Sequence, residues 1–120
     1  MPHVPLKEHG TPKHIALQLV VDAWDPDSTP DTLVVTLCCV PKNTKVVSIA
    51  GTVKANASGY EIEVREFDTD EPRIIAGTKI ANQNTNFRGH VDLNSNLQFY
   101  VRASNAAISE VNITVTEVWI

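Results

Sequence analysis

The sequence contains little of what disulfide-linked, secreted or membrane-spanning proteins need. It has two cysteines in 120 residues, and these are adjacent, Cys38 and Cys39. Adjacent side chains in a strand point to opposite faces, so we do not expect the two to pair with each other. No run approaches the roughly 18 apolar residues of a membrane span, and the start has no apolar secretion signal. We therefore expect folding in a reducing cytoplasm, with no membrane partner.

Positive charge is also in short supply. Lys and Arg total 10 against 14 Asp and Glu, which gives a formal net charge of −4. A nucleic-acid binder needs a basic stripe to neutralise phosphates, and an anionic membrane surface attracts clustered Lys and Arg. The composition therefore argues against both classes of partner. Apolar residues make up 42% of the chain, which is enough for one domain to bury a two-layer core without disulfides.

Catalytic and metal-binding motifs are missing as well. No Ser-His-Asp order, Cys-His pair, glycine-rich phosphate loop or pair of catalytic carboxylates can be argued, and the four histidines lack the spacing of zinc ligands. Acidic residues cluster in residues 22–31 and 68–71, and carboxylates on loops can hold Ca²⁺. The calcium-loop pattern with its glycine is absent, however, and loops after the first and fourth strands should lie apart. We predict no enzyme, no cofactor and no metal site.

What the sequence has in abundance is alternation of apolar and polar residues, the pattern of strands with one buried face. In residues 14–21, for example, Leu17, Leu19 and Val21 are expected to share the buried face. No segment has helical periodicity. We predict eight strands, at residues 14–21, 32–40, 45–54, 60–68, 73–80, 87–93, 97–104 and 108–120. This series predicts an all-β, antiparallel eight-stranded β-sandwich that is jelly-roll-like, with an immunoglobulin-like sandwich as the alternative.

The first 13 residues differ from the rest of the chain. They hold three of the seven prolines and show no periodicity. We predict an extended N-terminal arm at residues 1–13, followed by a single sandwich domain at residues 14–120. The arm is expected to lie on the domain's own surface or on a neighbouring subunit. Its contact residues with a partner would be Pro2, Val4, Pro5 and Leu6.

Residues 33–40 break the alternation, because they form an almost continuous apolar run. In an antiparallel sheet such a run indicates that both faces are covered. Two interpretations follow: a central strand beneath the arm, or a strand at a subunit interface. In the second, Val34, Cys38 and Val40 would contact the partner. The cysteines themselves are expected to be inert packing residues.

The end of the last strand also breaks the alternation. Val118 and Ile120 fall on the opposite parity to the preceding apolar residues, whereas Trp119 keeps the first parity. Either a β-bulge restores the register, or both faces are buried at a subunit contact. The second alternative makes Val118, Trp119 and Ile120 candidates for contact with a partner.

A polar row in the predicted sixth strand is the candidate for ligand binding. The row consists of Arg88, His90 and Asp92, and the strand expected beside it contributes Gln98, Tyr100 and Arg102. With Trp24, which lies in a loop, the side chains of Arg88, His90, Tyr100 and Arg102 form a face that could bind a carbohydrate or a protein. The alternatives are a solvated outer face with cross-strand charge pairs, and a Trp24 that folds back as a lid over the sandwich.

The Pro-rich arm, the strand series, the Asn-rich turns at residues 81–86 and 94–96, and the closing segment 100–116 resemble the small β-sandwich accessory proteins of tailed-phage virions. The resemblance implies a non-enzymatic virion protein assembled in the host bacterial cytoplasm, most simply a capsid decoration protein. It would bind the head surface through its arm and an apolar sheet face. Its partners would be the major capsid protein or other virion subunits, and it would form a homo-oligomer, with a trimer favoured. The alternative is a carbohydrate- or receptor-binding module.

Overall fold

The structure is a computed structural model that describes residues 12–26, 31–69, 71–105 and 107–120. These residues form eight strands and no helix. The described part of the chain therefore has no helix that is long and apolar enough to cross a membrane. The strands are β1 Pro12–Trp24, β2 Asp31–Thr36, β3 Val46–Ala55, β4 Glu61–Arg65, β5 Ile74–Gly77, β6 Thr85–Asp92, β7 Gln98–Ala103 and β8 Ile108–Trp119. All their pairings are antiparallel, as the alternation predicted.

The eight strands form two sheets of four. Sheet A has the order β1-β8-β3-β6, and sheet B has the order β2-β7-β4-β5. The chain passes from one sheet to the other at every connection except that between β4 and β5. The sheets pack face to face around one core, to which every strand contributes buried apolar side chains. The β-sandwich is therefore confirmed, whereas its finer assignment as jelly-roll-like stays a prediction.

A bulge in β1 decides which of its side chains reach the core. Leu19 pairs with Thr114 and Val21 with Ile113, so the residue between the two β1 positions is an extra one. An extra residue reverses the side-chain parity. Val21 is consequently buried, while Leu17 and Leu19 are 71% and 58% exposed. The prediction that these three side chains share the buried face is wrong for this reason.

A second bulge lies near the end of β8. In β3, Ser48 pairs with Glu117 and Ile49 with Val115, which leaves Thr116 as the extra residue. The bulge returns Val118 to the inner face, where it is fully buried in the core. Of the two alternatives for this end of the chain, the bulge is therefore correct. Val118 is covered by its own domain, and the proposal that it contacts a partner is wrong.

The strand predicted at residues 32–40 is shorter and lies elsewhere than expected. It ends at Thr36 and pairs only with β7, so it is an edge strand and not a central one. Val35 and Leu37 are buried, whereas Val34 on the other face is 45% exposed. The interpretation as a central strand is therefore wrong, because among the described strands β2 has a neighbour on one side only and the chain leaves the sheet after Leu37. Its interpretation as a strand at a subunit interface stays a prediction.

The start of β1 lies inside the segment predicted as an arm. Pro12 pairs with Trp119 and Lys13 with Val118, so both belong to sheet A. The rest of the predicted arm lies outside the described residues. That part includes all four of its proposed contact residues, Pro2, Val4, Pro5 and Leu6.

Buried charges join the two sheets on the side formed by β5 and β6. Nη2 of Arg73, just before β5, lies 3.2 Å from Oδ2 of Asp92 in β6 and 3.6 Å from Oε1 of Glu66 after β4. All three side chains are almost completely buried. The expectation that Asp92 faces solvent beside His90 is wrong, because Arg73 packs against it. We call these three residues the ion cluster.

Candidate functional site

The five residues of the predicted ligand face do not come together. β6 belongs to sheet A and β7 to sheet B, so the expectation that these strands are neighbours is wrong. Arg88 and His90 lie exposed on the outer face of sheet A. Tyr100 and Arg102 alternate with buried residues of β7 and are partly buried on the outer face of sheet B. The two pairs therefore lie on opposite sides of the sandwich, and one small ligand cannot contact both.

Trp24 is held against the core. It is the last residue of β1, lies opposite Val111 and packs, partly buried, on the core cluster. The preceding Ala23 has a φ of 52°, and its N–H donates to Oδ1 of Asn112 over 2.8 Å. This arrangement agrees with the lid alternative. It also places Trp24 at the opposite edge of sheet A from Arg88.

Three polar groups that the sequence did not connect meet on the outer face of sheet A. Nε1 of Trp119 donates to Oγ of Ser48 over 3.1 Å, and that Oγ lies 3.0 Å from Nδ1 of His90. The serine hydroxyl can donate its own proton to Nδ1 or accept a proton from it, so the direction of this second bond depends on the tautomer of His90. The rings of His90 and Trp119 also meet edge to face, with centroids 5.7 Å apart.

These groups stand at one end of a shallow groove along the outer face of sheet A. A recess of about 490 Å³ is lined by Ser48, Ala50, Arg88, His90, Thr116 and Glu117. It shares Ala50, Arg88 and Thr116 with a second recess of about 540 Å³, which extends to Leu17. The floor carries small side chains, and the rims carry one cation, one anion and one leucine. The groove is therefore open and of mixed polarity.

The acidic segments make one contact with the strands near them. The hydroxyl of Thr32, in β2, donates to Oδ1 of Asp68 over 3.4 Å. Residues 27–30 and 70 lie outside the described residues, so the expectation that the two acidic loops lie apart stays a prediction. Within the described ranges, no three His, Cys, Asp or Glu side chains are grouped so that they could hold a metal ion.

We call the side of the sandwich formed by the edges of β1 and β2 the open side. It carries a third recess. This recess has a volume of about 500 Å³ and is lined by Gln18, Leu19, Val20, Thr36, Cys38 and Cys39. The exposed Leu17 and Val34 belong to the same two edge strands. Of the proposed contact residues, Val34 and Cys38 are exposed, whereas Val40 packs against the core.

Both cysteines differ from the sequence prediction. They follow β2 and are exposed, so they are not the inert packing residues that the apolar run indicated. Cys39 has a φ of 64°, a left-handed conformation that ends the alternation of faces. A hydrogen bond with Cys38, the charge of Cys38 and a little desolvation raise the pKa of the Cys39 thiol. The two thiols therefore interact.

At the C-terminus, Trp119 and Ile120 are partly buried. The carbonyl of Trp119 accepts a hydrogen bond of 2.8 Å from the N–H of Lys45. These contacts tie the end of β8 to its own sheet. No protein-family model and no curated protein matches the chain, so its function has to be argued from its own residues.

Proposed function

We propose that this protein is a non-enzymatic structural protein of a virus particle, a decoration protein that binds the head surface. The observation that carries the proposal is β1, an edge strand that continues directly from the predicted arm. It exposes Leu17 and Leu19 on its outer face. Edge strands and exposed apolar side chains are liabilities in a monomer, because they invite pairing with another chain. In a protein that works on a particle surface they provide the contact.

The partner in this proposal is the major capsid protein or another virion subunit. We expect the arm and β1 to contact it together, by strand addition or by packing of the leucines. Copies of the protein would form a homo-oligomer, with a trimer favoured, in the host bacterial cytoplasm. Cys38 and Cys39 would stay reduced there. The sheet orders β1-β8-β3-β6 and β2-β7-β4-β5 support the further proposal that the sandwich is a jelly roll, a fold with eight strands in two Greek keys.

The binding test compares two charged substitutions at exposed apolar positions. Leu19→Asp is expected to abolish co-sedimentation with heads of the virus whose genome carries this reading frame, because it places a charge on the contact strand. Ile80 is exposed to a similar extent, 57%, but lies in a turn away from β1. Ile80→Asp is therefore the matched control and should bind like the unaltered protein. Equal binding by both variants would count against the β1 contact.

A deletion tests the arm separately. Because Pro12 and Lys13 pair within sheet A, removal of residues 2–11 leaves every described strand in place. The shortened protein should keep its melting temperature and lose binding to heads. Undiminished decoration by the shortened protein would contradict a role for the arm.

The groove on the outer face of sheet A favours a second candidate, a carbohydrate- or receptor-binding module. Its rims offer the guanidinium of Arg88 and Nε2 of His90, and its floor offers hydroxyl groups. In this function, Arg88→Ala combined with His90→Ala should remove binding on a glycan array and leave head binding unchanged. Glycan binding that survives both substitutions would exclude the groove as its site.

A further inference from the structure

The corner formed by Cys38 and Cys39 is a feature that the proposed function does not use. β2 ends at Thr36, and the N–H of Leu37 still bonds to the carbonyl of Leu97 over 2.9 Å. The side chain of Leu37 is buried in the core, which anchors the chain immediately before the corner. Both cysteines are then exposed. Cysteine is ordinarily among the most buried residue types, so two exposed neighbours on an anchored corner are unusual.

The conformation of the corner brings the two sulfur atoms together. In a continuing strand the thiols would point to opposite faces. The positive φ of Cys39, 64°, breaks that alternation. The two cysteines, adjacent in sequence, line the same recess of the open side. A hydrogen bond with Cys38 is the main cause of the raised pKa of Cys39. The corner therefore presents two sulfurs, side by side, to one incoming atom.

The recess of the open side adjoins these sulfurs. Besides the cysteines it is lined by Gln18, Leu19, Val20 and Thr36, and its volume of about 500 Å³ leaves room for a flat organic group. Leu19 and Val20 offer such a group an apolar wall. The corner thus combines two thiols, which are soft ligands, with an adjacent recess that can hold an organic group attached to the atom they bind.

We propose that Cys38 and Cys39 form a dithiol site for trivalent arsenic or antimony compounds, with an organic substituent on the metalloid lying in the recess of the open side. A trivalent metalloid bonds two sulfurs at an angle near a right angle, which suits neighbouring thiols. Ions that prefer linear coordination need the two sulfurs on opposite sides of the ion, which neighbouring thiols suit less well. A closed zinc site needs four ligands, and the described residues supply no group of three.

The reaction needs no oxidant. When an organoarsenic oxide binds, the bond between arsenic and oxygen breaks and two bonds between arsenic and sulfur form. The two thiol protons leave with the oxygen as one molecule of water. Arsenic stays trivalent, and neither sulfur is oxidised. The proposal does not depend on the virion function, because the two thiols and the recess beside them are sufficient for it.

The test uses phenylarsine oxide and intact mass spectrometry on the whole protein. One equivalent should add one phenylarsine group per chain and protect both cysteines from iodoacetamide. An excess of the monothiol 2-mercaptoethanol should leave the adduct in place, and the dithiol 2,3-dimercaptopropanol should remove it. Loss of the adduct to the monothiol would overturn the proposal.

Single substitutions show whether both sulfurs are needed. Cys38→Ser and Cys39→Ser change exposed side chains, so both variants should keep the circular dichroism spectrum of the unaltered protein. Each should lose its phenylarsine adduct to the monothiol. If either variant retains the adduct as well as the unaltered protein does, the two-sulfur site is wrong.

A third variant tests the recess. Leu19→Ala removes part of the apolar wall and should speed the loss of phenylarsine several-fold, while retention of inorganic arsenite, which has no organic substituent, stays unchanged. An equal effect on both compounds, or no effect on either, would contradict the place assigned to the substituent.

Discussion

Among single residues, Gly51 is the position where sheet A leaves least room. It lies in β3, opposite Phe87 in β6 and Ile113 in β8. A Cβ at this position would overlap the carbonyl oxygen of Asn112 and would lie 2.7 Å from Cζ of Phe87. The phenyl ring therefore covers the place where a side chain would stand. An aromatic ring across from a strand glycine restores the packing that the glycine lacks.

Replacing this glycine should destabilise the protein because the added methyl group has nowhere to go. We expect Gly51→Ala to lower the free energy of unfolding by about 1–3 kcal/mol. Gly77→Ala is the control, since the nearest atoms to its new Cβ would be 3.8 and 3.9 Å away. That change should stay within about 0.5 kcal/mol. Urea denaturation measures both, and similar midpoints for the two variants would show that the strands around Gly51 adjust freely.

The residues of the groove show why the sequence could not predict this site. His90 was identified from its own strand, because alternation says which way a side chain points. Ser48 and Trp119 were not connected with it, although Ser48 is hydrogen-bonded to His90 and Trp119 donates to Ser48. Ser48 is 42 residues from His90 and 71 from Trp119. Their meeting depends on which strands pair, and the pattern within a strand contains no information about that.

The cysteines illustrate a different failure at the residue scale. Cys38 and Cys39 extend an apolar run, and an apolar run predicts a covered strand. The left-handed conformation of Cys39 is unusual for a residue with a side chain, and no Gly, Asn or Asp marks the position. A turn that contains none of the residues typical of turns cannot be predicted from the sequence.

Among the elements, the bulges in β1 and β8 mark the limit of strand prediction. All eight strands were predicted, most of them from alternation, because burial of one face imposes a period of two. The faces assigned within β1 were right for Val21 and wrong for Leu17 and Leu19, since one extra residue between Leu19 and Val21 exchanges the two faces. For β8 the change of parity at Val118 was visible, and a bulge was one of the two interpretations. A bulge can be recognised from sequence only where the apolar residues before it and those after it fall on opposite parities.

The ion cluster links three elements, the end of β4, the start of β5 and the end of β6. Arg73→Met would leave the carboxylates of Glu66 and Asp92 buried without their shared cation. We expect a loss of about 3–5 kcal/mol in the free energy of unfolding, because removing one partner of a buried ion pair is costly. Arg88→Met, at an exposed position in β6, should change it by no more than about 0.5 kcal/mol. Equal effects in thermal denaturation would mean that the cluster contributes nothing beyond any surface charge.

For the whole molecule, the sheet orders could not be derived from the chain. Sequential neighbours such as β6 and β7 were expected to pair, yet they lie in different sheets, and β1 pairs with β8 from the other end of the chain. Many different strand orders would give a sandwich core with the same alternation of apolar and polar residues. The layers and the number of strands are therefore predictable from local pattern, whereas the faces that become neighbours are not.

The same orders predict how stability is distributed. β3 and β8 are paired on both sides within sheet A, whereas β1 and β2 each have one free edge. Hydrogen exchange should therefore be slowest for amides of β3 and β8 and fastest along β1 and β2, where local opening breaks the fewest contacts. Mass spectrometry of exchanged peptides, at low protein concentration, measures this order. Protection of β1 equal to that of β3 would show that its edge is already covered in solution.

The central position of β8 also matters while the protein is being made. Among the described strands β1 pairs only with β8, and β8 is the last of the eight to leave the ribosome. Until β8 clears the exit tunnel, no strand lies between β1 and β3. The nascent chain therefore carries an incomplete sheet with apolar side chains until β8 emerges. A chain stalled before Ile108 should be a good substrate for ribosome-associated chaperones, and release of β8 should end that dependence.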